Sequence, residues 1–163
     1  MLADFGLAKM IQSKNDLTNS YCGTPEYISP EVIIGNGHDH TVDWWTLGIL
    51  LYELLIGITP FFHRNPQRAE YLIKECPVTF PDTEKMGFHV SNEAKDLIGR
   101  LLEKEKTKRL GAKGDIDEIL AHPFFNGLDI EKLMEKKLIP PYNPEIKDDL
   151  KFFDIKLTSQ ADI

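Results

Sequence analysis

Cysteine is scarce: Cys22 and Cys76 are the only two in the chain. With no close spacing between them they argue against a disulfide scaffold and for free thiols in a reducing compartment, the cytoplasm, with the nucleus as an alternative. Basic charge is also short, since 19 Lys and Arg face 26 Asp and Glu, for a net charge of −7 and a pI near 5.2. That balance argues against binding nucleic acid through a basic surface. It suits a basic peptide partner somewhat better, although many surfaces are acidic for solubility alone. Internal repeats and low-complexity segments are lacking. No signal peptide is expected, because the first motif follows Met1 at once. What remains is an ordinary globular composition of 163 residues, 42% hydrophobic and 28% charged, enough for one domain with a real core.

The dominant feature is the run from Thr41 to Phe62, apolar on nearly every side between Trp44 and Ile58. A membrane span needs about 20 apolar residues. Glu53 inside the run, and Gly57 and Pro60 at its end, point to a soluble helix instead. An amphipathic surface helix shows one apolar stripe, so this pattern predicts a helix over Val42–Gly57 buried all round, with Leu50, Leu54 and Leu55 inside. Thr41 is its expected N-cap and Asp43 sits in its first turn.

Around it the pattern is mostly helical. Asn65–Lys74 carries a cap at Asn65 and Pro66 in the first position. Ser91–Glu103 is capped by Ser91 and places Ala94, Leu97, Ile98, Leu101 and Leu102 at helical spacing. Shorter helices are expected over Asp115–Ala121 and Ile130–Lys136. Ile11–Ser20 reads as a mobile loop, and Tyr21–Glu31, dense in Gly, Pro and hydroxyls, as a structured connector without helical period. Cys76–Pro81 and the stretch past Ile139, with Pro140, Pro141 and Pro144, read as extended chain. His38 and His40 sit two apart, but no Cys or carboxylate cluster completes a metal site, so they are expected as surface loop residues.

The order of these motifs carries a resemblance. Asp4-Phe5-Gly6, then Ser29-Pro30-Glu31, then Asp43-Trp44-Trp45-Thr46-Leu47-Gly48, with Arg109 far downstream, resembles the second half of a eukaryotic protein kinase domain. Cys22-Gly23-Thr24-Pro25-Glu26-Tyr27 looks like the AGC group. Pro140-Pro141-Tyr142-Asn143-Pro144 followed by Phe152-Phe153-Asp154 resembles the tail of protein kinase B and the serum/glucocorticoid-induced kinases. Ser29 stands where an Ala is usual, and Leu157 where the tail usually has a second Phe. Nothing in the sequence matches the Gly-rich loop, the strand Lys, its Glu partner or the His-Arg-Asp catalytic loop, all of which would precede Met1.

The resemblance implies a mainly α fold: the large C-terminal lobe of a kinase-like fold, incomplete, over residues 1–125, with an extended, truncated tail over 126–163. One face of the central helix would then be partly bare. It implies a serine/threonine kinase using ATP and Mg²⁺, with protein substrates carrying basic residues, an upstream activating kinase, no nucleic acid and no membrane span. Asp4 resembles the metal-binding Asp that holds Mg²⁺ against the nucleotide, with Phe5 packing behind it; the plain alternative is a turn Asp. Ser20 matches the activation-loop phosphosite, Thr18 is a weaker candidate, and Lys9 resembles the residue that grips the phosphate. Thr24 looks like the loop Thr that bonds the catalytic Asp, while Tyr21, Pro25 and Ile28 resemble the surface receiving the peptide after the phosphoacceptor. Glu53 resembles the receiver of a substrate Arg; its alternative is an internal hydrogen bond. Glu31 and Arg109 match a buried ion pair, Asp43 a helix-start Asp that bonds the catalytic loop, and Phe153 a residue crossing the nucleotide pocket. Alone, the chain is expected to be inactive. The competing readings are a non-catalytic, kinase-like interaction module and a fragment with no role of its own.

Overall fold

The computed structural model describes residues 3–11, 13 and 16–142. Phe153 and the rest of the expected tail motif lie outside the described residues. The chain divides into two compact units, Met1–Asn126 and Gly127–Ile163. The first holds a 3₁₀ turn at Pro25–Tyr27, helices α1 (Pro30–Ile34), α2 (Thr41–Ile56), α3 (Pro66–Glu75), α4 (Asn92–Leu101) and α5 (Asp115–Leu120), and a second 3₁₀ turn at Pro123–Phe125. The second unit holds α6 (Ile130–Met134), whose Asp129 cap accepts from Lys132 N at 3.0 Å. Among the described residues the strand content is a single antiparallel bridge between Thr18 and His38. No helix among them is long and apolar enough to cross a membrane.

The caps of α3 and α4 are those expected from the sequence. Asn65 Oδ1 accepts from Arg68 N at 3.0 Å and Ser91 Oγ from Ala94 N at 3.1 Å. At α2 the structure differs. Thr41 is already helical, and Asp39 Oδ1 accepts from Thr41 N at 3.0 Å and Thr41 Oγ1 at 2.6 Å, so Asp39 does the capping. The helix ends where Gly57, at φ 88°, donates its N–H to Glu53 O. Two short helical pieces also appear within the connector expected to lack them. Pro25 and Pro30 start them at the first helical position, where proline's fixed φ fits and its missing N–H costs nothing.

The expectation that α2 is buried all round is corrected. Its buried side is the stripe Thr41, Trp45, Gly48, Ile49 and Tyr52. Leu50, Leu54 and Leu55 are 42%, 73% and 39% exposed. An apolar circumference records what a helix is able to bury; how much it does bury depends on the neighbours present. Here α4 covers one side, so closely that a Cβ on Gly48 would lie 2.9 Å from Leu102 Cδ2 and 3.0 Å from Leu101 Cβ.

Two apolar clusters meet along this contact. In one, Trp45 stacks on Phe61 (centroids 5.8 Å apart, planes 11° apart), with Ile49, Ile73, Ile98 and Leu102 around them. In the other, Leu97 and Leu101 of α4 pack with Leu110 and Ile119. Lys104 caps the end of α3, donating from Nζ to Ile73 O at 2.7 Å, and its ammonium lies 3.8 Å from the centre of the Phe61 ring. Burial there brings its pKa down to about 8. Tyr52 OH donates to Thr79 O at 2.9 Å and so ties the extended 76–81 segment to α2.

Candidate functional site

The helices leave an open cavity of about 380 Å³ at the start of α2, walled by the loop carrying Lys9, Thr18, Ser20 and Thr24 on one side and by His40 and Asp43 on the other. The loop is held by its own chemistry. Thr18 exchanges two backbone hydrogen bonds with His38, at 2.8 and 2.9 Å. Lys9 Nζ donates to Thr18 Oγ1 at 2.7 Å, and Thr18 Oγ1 lies 3.4 Å from Ser20 Oγ. Thr18 is buried by this arrangement and Ser20 is exposed. A lysine ammonium therefore sits one hydroxyl away from an accessible serine.

The same pairing corrects the reading of His38 as a surface residue. The backbone bridge draws it under the loop to 9% exposure, and burial lowers the pKa of its ring. His40 is half-buried, and both of its ring nitrogens are buried without a hydrogen-bond partner. Between them Asp39, whose importance the sequence did not reveal, bonds Lys106 Nζ at 2.9 Å as well as Thr41. Burial opposes its charge, yet the bonds from Thr41 and Lys106 bring its pKa to about 2. An Asp two residues ahead of a helix-starting Thr is the one local signal by which it could have been found. Asp43 keeps an exposed edge while burial of its carboxyl raises its pKa, with His40 acting in the opposite sense.

Beneath the cavity Arg109 and Glu31, 78 residues apart in sequence, form a two-pronged pair. Nη1 donates to Oε1 at 2.7 Å and Nη2 to Oε2 at 2.8 Å. Nη1 also reaches Thr41 O at 3.0 Å and Nε reaches Glu103 O at 3.0 Å, so the guanidinium ties α1 to the start of α2 and the end of α4. On the far side of the loop Glu53 of α2 accepts a short hydrogen bond from Tyr27 OH, which raises the tyrosine pKa. The internal partner weighed as the alternative for Glu53 is thus present. Tyr27→Phe is expected to cost about 1 kcal/mol, the net worth of one such bond. A denaturation midpoint equal to that of the parent chain would show that the bond is not formed in solution.

Of the remaining candidates, Tyr21, Thr24 and Pro25 are exposed, whereas Ile28 is buried and offers little surface to a peptide. Asp4 is exposed, with φ 60° and Oδ1 accepting from Gly6 N at 3.2 Å. Phe5, expected to pack, is 70% exposed. For magnesium and a nucleotide the fit is incomplete. No group of three or more His, Cys, Asp or Glu side chains that would hold a metal occurs among the described residues, and Asp4 supplies a single carboxylate. Mg²⁺ needs only one or two carboxylates when substrate phosphates complete its shell, but nothing described here cradles phosphates beside Asp4.

Comparison with known proteins decides the family. Residues 1–125 match the model of the protein kinase domain. The chain belongs to the protein kinase family. Within that family it is similar to serine/threonine kinases of the AGC group. It is 44% identical over 161 residues to serine/threonine-protein kinase gad8 of Schizosaccharomyces pombe, covering 98% of this chain and 27% of that protein. It is 44% identical over 164 residues to YPK2/YKR2 of Saccharomyces cerevisiae, covering 99% and 23%. With human Sgk1 the figures are 41% over 162 residues, 98% and 36%. The chain therefore spans roughly a quarter to a third of the length of these relatives, and kinases of this family use ATP and Mg²⁺.

Proposed function

We propose that this chain is the part of an AGC-type serine/threonine kinase that carries the activation loop and the peptide-receiving face. The whole protein would transfer the γ-phosphoryl group of ATP to Ser or Thr of proteins bearing basic residues. The observation that carries this reading is the Lys9–Thr18–Ser20 cluster at the rim of the cavity, in a chain matching the kinase domain over residues 1–125. In it Ser20 accepts a phosphate from an upstream kinase and Lys9 grips it. Thr24 faces the catalytic loop, Asp43 bonds that loop, and Asp4 contributes one oxygen ligand to Mg²⁺. Tyr21 and Pro25 offer the exposed surface beside the phosphoacceptor. Glu53 receives a substrate Arg by exchanging its bond from Tyr27, which the negative charge of an acidic protein favours. Residues 1–125 act as the kinase lobe and 126–163 as the tail. Both cysteines are free, which suits the reducing cytoplasm.

A second reading, a non-catalytic kinase-like module, draws support from the apolar face of α2 at Leu50, Leu54 and Leu55, a surface of the kind that partners cover. Phosphorylation of a basic Ser/Thr peptide separates the two. The 163-residue chain alone should give none, since the described residues hold neither a phosphate cradle nor a base placed near the hydroxyl. The complete protein should be active, and Asp4→Asn should reduce its turnover to background. Activity of the isolated chain that Asp4→Asn removes would overturn the argument from missing parts. A complete but inactive protein that still binds partners would favour the module.

A further inference from the structure

We propose that Lys9 and His38 together form one anion subsite for a phosphate on Ser20, and that occupation of this subsite is coupled to uptake of a proton by His38. The inference rests on Ser20 being the phosphorylated residue. In that modification the Ser20 Oγ–P bond forms as the terminal P–O bond of ATP breaks, and the hydroxyl proton leaves, all within the activating kinase. The coupling concerns what this chain does afterwards.

The geometry gathers Lys9 and His38 around Thr18, one through its side chain and the other through its backbone. Lys9 Nζ reaches Thr18 Oγ1 at 2.7 Å, and Ser20 Oγ is 3.4 Å from that same oxygen. Thr18 is joined to His38 by the two backbone bonds at 2.8 and 2.9 Å, which hold the main chain of residue 38 beside the loop. Lys9, Thr18, Ser20 and His38 line one cavity, and Ser20 is open to an incoming enzyme.

His38 is surrounded by groups of both signs, and burial tips the balance toward the neutral ring. Burial and the charges of Lys9 and Lys106 favour the neutral ring, while Glu31 and Asp39 favour the charged one. Both carboxylates are already committed, Glu31 to Arg109 and Asp39 to Lys106 and Thr41. His40, next but one in the chain, has no hydrogen-bond partner for either ring nitrogen, and its Nδ1 lies 4.0 Å from Asp39 Oδ1. A phosphate on Ser20 adds a charge of about −1.5 to −2 to the cavity that His38 also lines. An opposite charge at close range favours the charged ring and so raises the His38 pKa, against the burial that now lowers it.

The test encodes phosphoserine at position 20 of the full chain, which leaves the choice of activating kinase out of the measurement. Histidine ring signals are followed by NMR as a function of pH in the phosphorylated and unmodified chains. The His38 midpoint should rise by about 1 unit or more on phosphorylation. By reciprocity, His38→Gln should raise the second pKa of the phosphate, read by ³¹P NMR. In the unmodified chain Lys9→Met should raise the His38 midpoint, because one opposing charge is gone. An unmoved His38 midpoint, or an equal shift of all five histidines, overturns the proposal. Failure of every candidate activating kinase to modify Ser20, read by mass spectrometry, would count against the proposed regulation and leaves the NMR result to judge the subsite.

Discussion

Arg109→Ala should lower the stability of the fold by roughly 3–5 kcal/mol, the usual penalty for removing one partner of a buried ion pair. Domains of this kind are stable by only about 5–15 kcal/mol, so much of the population should be unfolded at modest denaturant. The size of the effect comes from what is left behind. Glu31 accepts two of the guanidinium's bonds, Thr41 O and Glu103 O accept the others, and the Arg109 side chain is fully buried. Deleting it strands the Glu31 carboxylate where α1, the start of α2 and the segment after α4 meet. Lys108→Ala is the control: its pair with Glu105 is exposed on both sides, and it should leave the urea midpoint essentially unchanged. Replacing Glu31 and Arg109 together with apolar residues of similar volume should recover much of the loss, because no unpaired charge remains. Equal midpoints for Arg109→Ala and Lys108→Ala would remove the pair from any account of this fold.

The second large effect is expected at Gly111. It sits at φ 93°, in the region that side chains avoid, and an added Cβ would lie 2.6 Å from Trp44 Cδ1 and 2.7 Å from Trp44 Nε1. The backbone alone costs an Ala about 1–2 kcal/mol there. Forcing the indole aside adds roughly 1–3 kcal/mol, as overpacking in a close-packed interior does. Trp44 has little room to yield, since it packs against the cluster around Leu97 and Leu101. The neighbouring backbone is also pinned, because Glu118 accepts from the N–H groups of Gly111, Lys113 and Gly114. Gly57→Ala separates the two contributions: its φ is 88° but nothing lies within 4 Å of the new Cβ. Thermal or urea unfolding should therefore rank Gly111→Ala well below Gly57→Ala, with the difference reporting the Trp44 contact. Identical losses would mean that the indole moves freely.

The features legible in the sequence are those governed by a few adjacent residues. Asn65 with Pro66, and Ser91 with the apolar spacing of α4, announced their helices because a cap needs only a side-chain acceptor two or three residues from a free N–H. Gly57 ended α2 for a similarly local reason. The cap of α2 was misjudged because Thr41 and Asp39 are both good caps, and only the observed turn shows that the carboxylate accepts while the hydroxyl donates. The pairing of Glu31 with Arg109 was expected through family resemblance alone; without it, Arg109 ends a basic run and reads as solvated.

The site divides along the same line. Residue types, order and spacing determined the family, the helical class and the list of candidate groups from Asp4 to Arg109. The tertiary structure decided which of those groups lost water and what they met. It buried His38 by pairing its backbone with Thr18, joined Asp39 to Lys106, gave Glu53 the hydroxyl of Tyr27, and left Leu50, Leu54 and Leu55 uncovered. Local signals are written in short stretches of chain, where backbone propensity and capping act. Burial, charge pairing and pKa depend on distances between segments far apart in sequence, and those distances exist only once α2 and α4 have packed.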